Sequence, residues 1–307
     1  MQCERMLKLP TVINVHSIQS GFPDASIQTL DIARLDHIHP IVSGNKIFKL
    51  KYNIDAARAA GMKGIITMGG AWSNHLAATA IACAAAGLKC IGLVRGEVTD
   101  SKNTILKTCT ENAMELLSIA REAFHKDSSQ VKSILAAHPD YFFIPAGGDN
   151  NEGEKGCSEI LSLIPNAGSY SHIFCAMGTG TTFRGLLQSA GKHQKVIGIP
   201  VLKIRTGEQS AFMRQHGNAN GACEKEILYG FAGKGYGKSD EALLESMRQF
   251  YEYTKVPTDF VYTGKLMRAI HELLKNDLLP KDARMLVMHT GGLLGNRSLK
   301  NEIFHWD

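Results

Sequence analysis

Two short apolar runs, Gly64-Ile65-Ile66-Thr67-Met68 and Cys90-Ile91-Gly92-Leu93-Val94, flank a small-residue stretch from Asn74 to Ala86 that ends at Gly87. The runs have strand length and the stretch between them has helix length. Strand, helix, strand in that order calls for two parallel strands in one sheet with the helix laid across a face. The alternation continues along the chain. Further strands are expected at Ile32–Leu35, Met114–Leu117, Tyr141–Ile144, His172–Met177, Val196–Ile199 and Met285–His289, with Phe260-Val261-Tyr262 read as a strand end. Helices are expected through Lys51 to Ala60 and over Lys102–Thr110, Ser129–Ala137, Cys157–Ile164, Phe183–Ala190, Asp240–Tyr253 and Gly264–Lys275. Residues 203 to 238 are rich in Gly, Lys and polar groups and show no period that assigns them. The pattern implies an α/β chain of two lobes, each an open parallel sheet with helices on both faces. Residues 1–60 and 158–307 form the larger domain and 61–157 a small inserted one, with the active site in the cleft between them.

Bulk properties exclude several classes. The formal charge of +5 comes from scattered basic residues rather than a stripe, which argues against nucleic acid. The seven cysteines are odd in number and contain no C-x-x-C pair, so neither a disulfide framework nor a zinc site is expected, and the reducing cytosol is the expected compartment. The start, Met1-Gln2-Cys3-Glu4-Arg5-Met6, lacks the apolar core of a signal peptide. The most apolar stretch, Ala77 to Val94, is interrupted by Gly87 and Lys89 and reads as helix, turn and strand rather than a membrane span.

Chemistry is expected at Ser43-Gly44-Asn45-Lys46, where a loop turns into a helix. Gly44 lets the backbone pass close to a ligand, Asn45 suits a helix cap, and a desolvated lysine at position 46 forms a Schiff base with an aldehyde. Three other loops offer ligand groups. Gly178-Thr179-Gly180-Thr181-Thr182 joins a strand to a helix, and amides at a helix start with small hydroxyl residues suit an anion. The glycine spacing fits neither a Walker loop nor a dinucleotide fingerprint, so one phosphate is the better match; an ordinary glycine-rich turn reads the same way. Ser73-Asn74-His75 opens a helix and suits a carboxylate, or simple capping. Tyr262-Thr263 and His289-Thr290-Gly291-Gly292 lie at strand ends, where open parallel sheets gather ligands.

Taken together, these stretches resemble the pyridoxal-phosphate enzymes of the tryptophan-synthase-β fold type, fold type II. More narrowly, the chain looks like the aminocyclopropane-carboxylate deaminase and D-cysteine desulfhydrase family. The resemblance rests on Gly44-Asn45-Lys46 with Lys49-Leu50, Gly69-Gly70 with Ser73-Asn74-His75, Ile144-Pro145-Ala146-Gly147, Thr179-Gly180-Thr181-Thr182, Tyr236-Gly237, Val261-Tyr262-Thr263-Gly264-Lys265 and His289-Thr290-Gly291-Gly292, in family order. It implies that Lys46 carries the cofactor and moves the α-proton, and that Asn74 holds the ring hydroxyl oxygen. Gly178 and Thr179 to Thr182 would bind the phosphate with Lys49, while Ser73, Asn74 and His75 take the substrate carboxylate. Tyr236 and Tyr262 would line the substrate side, with Thr263 and Thr290 beside the cofactor. The deaminases of the family carry an acid where this chain has Thr263, and a hydroxyl at the ring nitrogen makes a weaker electron sink than a carboxylate. A weak sink suits loss of a thiol from Cβ better than opening of a cyclopropane. The resemblance therefore implies β-elimination of D-cysteine to pyruvate, ammonia and hydrogen sulfide, by a cytoplasmic homodimer without metal. Aminocyclopropane-carboxylate deaminase, or cofactor binding without turnover, are the alternatives.

Overall fold

The computed structural model describes residues 10–18, 22, 30–39, 42–98, 103–217, 223–300 and 302–306. The chain opens with β1 (Val15–Ile18) and β2 (Leu30–Arg34), then runs through α1 (Lys46–Ala59), β3 (Gly64–Gly70), α2 (Asn74–Ala86), β4 (Lys89–Arg95), α3 (Thr104–Glu111), β5 (Met114–Ile119), α4 (Ser129–Ala137), β6 (Tyr141–Ile144) and α5 (Asn151–Ser158). It continues with β7 (His172–Met177), α6 (Thr181–Ser189), β8 (Lys195–Pro200), α7 (Gln209–Gly217), β9 (Glu224–Ile227), α8 (Glu241–Thr254), α9 (Thr263–Lys275) and β10 (Met285–His289).

The strands form two sheets, ordered β1-β2-β10-β7-β8-β9 and β5-β4-β3-β6. The pairings are parallel apart from the antiparallel β1–β2 edge. Helical crossovers make parallel pairing possible and bury the strands, which is why they read as continuous apolar runs. The four-stranded sheet packs through Ile66, Met68, Ile91, Leu93, Ile119 and Val131. The six-stranded sheet packs through Leu30, Ile32, Phe174, Ile197, Leu266 and Val287.

The chain divides into two compact units, one built mainly on Lys46–Gly156 and the other on Pro10–His39, Ser43–Asn45 and Cys157–Asp307. Helix α1, expected with the larger domain, groups with the smaller sheet because it packs on α2 and β6. Helix α5 sits on it too. A Cβ at Gly156 would lie 1.8 Å from the Phe48 carbonyl oxygen, so the two backbones meet directly.

Some elements differ from the sequence reading. The helix expected over Cys157–Ile164 instead spans Asn151–Ser158, followed by a 3-10 turn at Leu161–Leu163. Gly153 and Gly156, a residue type common in loops, lie inside that helix, and Gly153 is held close to the Gly148 carbonyl, where a Cβ would stand 2.2 Å away. The unassigned segment holds α7 and β9, the latter extending the sheet parallel to β8. Phe260-Val261-Tyr262 is a turn that feeds α9 and not a strand. Among the described residues six cysteines are buried and free, no group of acidic, His and Cys side chains is placed to hold a metal, and no helix is long and apolar enough to cross a membrane.

Candidate active site

In the unit built on Lys46–Gly156, Lys46 is the first residue of α1 and is half-buried. Lys49, one turn on, is buried, and its Nζ donates to the Gly147 carbonyl at 2.9 Å. Gly148 sits at φ +69, and a Cβ there would meet Lys49 Cβ at 3.2 Å and His75 Cε1 at 3.5 Å, so the glycine admits both side chains. Asn53 donates to the Lys49 carbonyl at 2.7 Å and exchanges hydrogen bonds with Asn150 at 3.1 and 2.7 Å. The loop after β6 is thereby tied to the first turns of α1.

Ser73 occupies the N-cap position of α2 in extended conformation, yet its side chain makes no capping bond. Its hydroxyl lies where a Cβ on Gly69 would be, 2.6 Å away. The side-chain capping role is therefore unfilled, while the Leu76 N–H already donates to the Ser73 carbonyl at 3.0 Å. Asn74 is the first helical residue. His75 turns inward: it is 2% exposed, with Nε2 3.0 Å from Thr67 Oγ1. That hydroxyl donates to the Ile144 carbonyl at 2.9 Å, so it must accept from Nε2–H, leaving a lone pair on Nδ1, which is buried and has no hydrogen-bond partner. Burial, then the charges of Lys46 and Lys49, push the imidazole down to about 3. A neutral imidazole brings no charge to a carboxylate, so any part His75 plays there runs through its backbone amide.

In the other unit, β7 ends at Met177 and α6 opens at Thr181 behind Gly180, which holds φ +79. Thr181 and Thr182, expected in the loop, are thus first-turn residues whose amides have no helical acceptor. Thr179 and Thr181 share a hydroxyl hydrogen bond at 2.9 Å. Thr182 accepts from Asn45 Nδ2 at 2.7 Å and from Cys157 Sγ at 3.8 Å. Asn45 also donates its backbone N–H to the Thr290 carbonyl at 3.3 Å. Gly44, at φ +67, passes so near that a Cβ would stand 1.8 Å from that same oxygen. The sequence-predicted residues Gly44, Asn45, Thr179 to Thr182 and Thr290 are thus brought together, and Lys46 is the next residue in the chain.

Tyr262 packs on this loop, since a Cβ at Gly178 would lie 3.0 Å from its ring. Its hydroxyl meets that of Tyr236 at 2.9 Å, and Tyr236 is 53% exposed. Burial, then Tyr236 and Asp259, raise Tyr262 well above the usual phenol range. Thr263 is engaged elsewhere. Its hydroxyl donates to Asp259 at 2.7 Å and accepts from the Asp259 amide at 2.7 Å. The same carboxylate accepts the amides of Val261, Tyr262 and Thr263 at 2.8–2.9 Å. The Thr263 hydroxyl thus gives its one proton to Asp259, and anything else it meets must donate to its remaining lone pair.

Asp259 is one residue the sequence reading missed; its signal was an Asp just after Pro257 and Thr258, ahead of a helix. Arg34 and Asp36 are two more. Arg34 forks onto Asp36 at 2.9 and 2.6 Å, and Asp36 lies 3.1 Å from His289 Nδ1, directly before Thr290. Burial pushes the Asp36 carboxyl up, but His289 and Arg34 outweigh it and hold it below its ordinary range.

A family model described as pyridoxal-phosphate dependent enzyme matches residues 31–291. A putative 1-aminocyclopropane-1-carboxylate deaminase of Thermotoga maritima is 28% identical over 291 residues, covering 86% of this chain and 88% of its own. A D-cysteine desulfhydrase of Yersinia enterocolitica is 24% identical, covering 84% of each. A crystal structure of an ACC deaminase homologue superposes with a TM-score of 0.77 at 23% identity, over 94% of this chain and 91% of that one.

Proposed function

The chain belongs to the pyridoxal-phosphate-dependent enzyme family, and on that premise we propose that it carries out β-elimination on a small D-amino acid, with D-cysteine giving pyruvate, ammonia and hydrogen sulfide. The residues present fit the cofactor: α6 starts behind a glycine at φ +79 with two hydroxyls joined across the turn, a cradle for a phosphate.

Pyridoxal phosphate, when bound, supplies the electron sink that acidifies the substrate Cα–H. Lys46 would hold the cofactor at its aldehyde and would move the proton at the substrate Cα. Ser73, with the backbone at the start of α2, would take the substrate carboxylate, and Asn74 would hold the ring hydroxyl oxygen. Lys49, whose Nζ holds the loop at Gly147, would add its charge to the phosphate's binding. Tyr236 and Tyr262, which share a hydroxyl hydrogen bond, would line the substrate side.

The observation that carries the choice of reaction is the Thr263–Asp259 interlock. Asp259 accepts four hydrogen bonds, about the capacity of a carboxylate, and is held to its own turn. No acid stands at position 263 to keep a ring nitrogen protonated, and Thr290 is the hydroxyl left for that task. This supports a moderate sink, adequate for loss of a thiolate. The relatives carry both names, so the substrate is decided by assay. Sulfide and pyruvate should form fastest from D-cysteine in a panel with L-cysteine, D-serine and 1-aminocyclopropane-1-carboxylate. Strong 2-oxobutyrate release from the cyclopropane substrate overturns the reading in favour of the deaminase. The reading includes a reducing compartment, supported by six buried free thiols, and a homodimer, which sedimentation tests.

A further inference from the structure

Behind the Gly178–Thr182 loop lies a pair of side chains that the catalytic reading does not use. Arg184, in the first turn of α6, points an Nη1 at the Thr179 carbonyl, 3.3 Å away, and the same nitrogen is 2.9 Å from His216 Nδ1. His216 is 3% exposed, belongs to α7, and is stacked edge-on by Phe212 at 4.4 Å. It also fills the space in front of Gly180, where a Cβ would stand 2.3 Å from Nδ1.

The donor and acceptor roles are fixed. A guanidinium has donors only, so His216 Nδ1 accepts and the Thr179 carbonyl accepts. In a trans peptide the C=O and the next N–H point in opposite directions. Drawing the Thr179 carbonyl onto Arg184 therefore turns the Gly180 N–H away from the guanidinium. The next peptide is set likewise, because the Gly180 carbonyl accepts the Arg184 backbone N–H at 2.9 Å and so turns the Thr181 N–H outward from the helix start. Two successive amides are aimed by one residue, with a permanent positive charge behind them.

We propose that Arg184, held by His216, is a positioning residue that sets this loop for a phosphate monoester, so that α7 reports to the phosphate end of the cofactor. The proposal rests on the cofactor reading above and adds to it Arg184 of α6 and His216, the latter from the segment with no sequence motif. Its consequence is selectivity: the pair favours the phosphorylated aldehyde over the same aldehyde without phosphate.

The test uses the full chain, freed of cofactor with hydroxylamine and titrated separately with pyridoxal 5'-phosphate and with pyridoxal, each followed by absorbance. Arg184→Met should raise the dissociation constant for pyridoxal 5'-phosphate about tenfold, the worth of one charge-assisted hydrogen bond, and change that for pyridoxal less than about twofold. Arg184→Lys should restore part of the loss. His216→Asn, which keeps an acceptor near Nδ1, should bind close to wild type, whereas His216→Leu should follow Arg184→Met. A merely structural role would weaken both ligands alike. Equal weakening of both, or no change in either, overturns the proposal, and if Arg184→Met fails to fold the two His216 variants decide it. Wild type that binds neither aldehyde would remove the cofactor reading itself, and the proposal with it.

Discussion

Two loops in this molecule share one plan and differ in finish. Each follows a parallel strand and opens a helix, β3 into α2 through Ser73 and β7 into α6 through Gly180. At Gly180 the turn is completed by the protein: hydroxyls bridge, Asn45 holds Thr182, and Arg184 holds the Thr179 carbonyl. At Ser73 the cap is left unmade, and the neighbouring histidine is turned inward and neutral. The finished turn suits an anion that stays, and the unfinished one an anion that comes and goes. A resident phosphate gains from preorganised amides, while a substrate carboxylate must also leave.

Substitutions at matched positions test this difference. Gly180→Ala places a Cβ at φ +79 within 2.3 Å of His216. Left-handed backbone and overpacking together cost about 3 kcal/mol, so cofactor affinity should fall at least about a hundredfold in an absorbance titration. His75 comes next. The folded imidazole titrates near 3 and the unfolded one near its ordinary 6.5, so between those values the unfolded chain binds a proton that the folded chain does not. Stability is therefore lost as pH falls from 6.5 toward 3, by up to about 1.4 kcal/mol per pH unit from this residue. His75→Gln should flatten that slope in urea unfolding at pH 7, 6, 5 and 4, and an unchanged slope would mean the imidazole is charged or exposed. Ser73→Ala should raise KM about tenfold, the worth of one hydrogen bond to a charged group, with the cofactor dissociation constant unchanged. Loss of cofactor from that variant would erase the distinction between the two turns. Gly70→Ala is the mildest case. A Cβ there meets nothing within 4 Å, and the melting free energy should move by less than about 0.5 kcal/mol.

Strands were legible where the sequence makes a short apolar run: Tyr141–Ile144, His172–Met177 and Met285–His289 coincide with β6, β7 and β10, the last two almost wholly buried and β6 a partly buried edge. Helix α2 was legible because its small residues end at Gly87, which takes the left-handed cap conformation. Helix α5 was not, because Gly153 and Gly156 look like loop residues when their use is close backbone approach. Helix α7 was not, since its sequence lacks an apolar stripe. The candidate loops were visible as clusters of glycine and hydroxyl residues. Their supporting partners were not: Asp36 meets His289 and His216 meets Arg184 across long stretches of chain, while Arg34 and Asp259 bond within their own turns, and a lone charged residue carries no mark of its partner. Thr263 shows the same limit from the other side, since its position in a motif did not reveal that Asp259 already holds it.

The account depends most on which amine holds the cofactor. The purified protein, loaded with pyridoxal 5'-phosphate, reduced with borohydride and digested with trypsin, should yield the adduct on a peptide running from Leu35 to Lys49, with the modified and uncut lysine at position 46. An adduct on Lys49 or on any lysine elsewhere in the chain, or none at all, would contradict it.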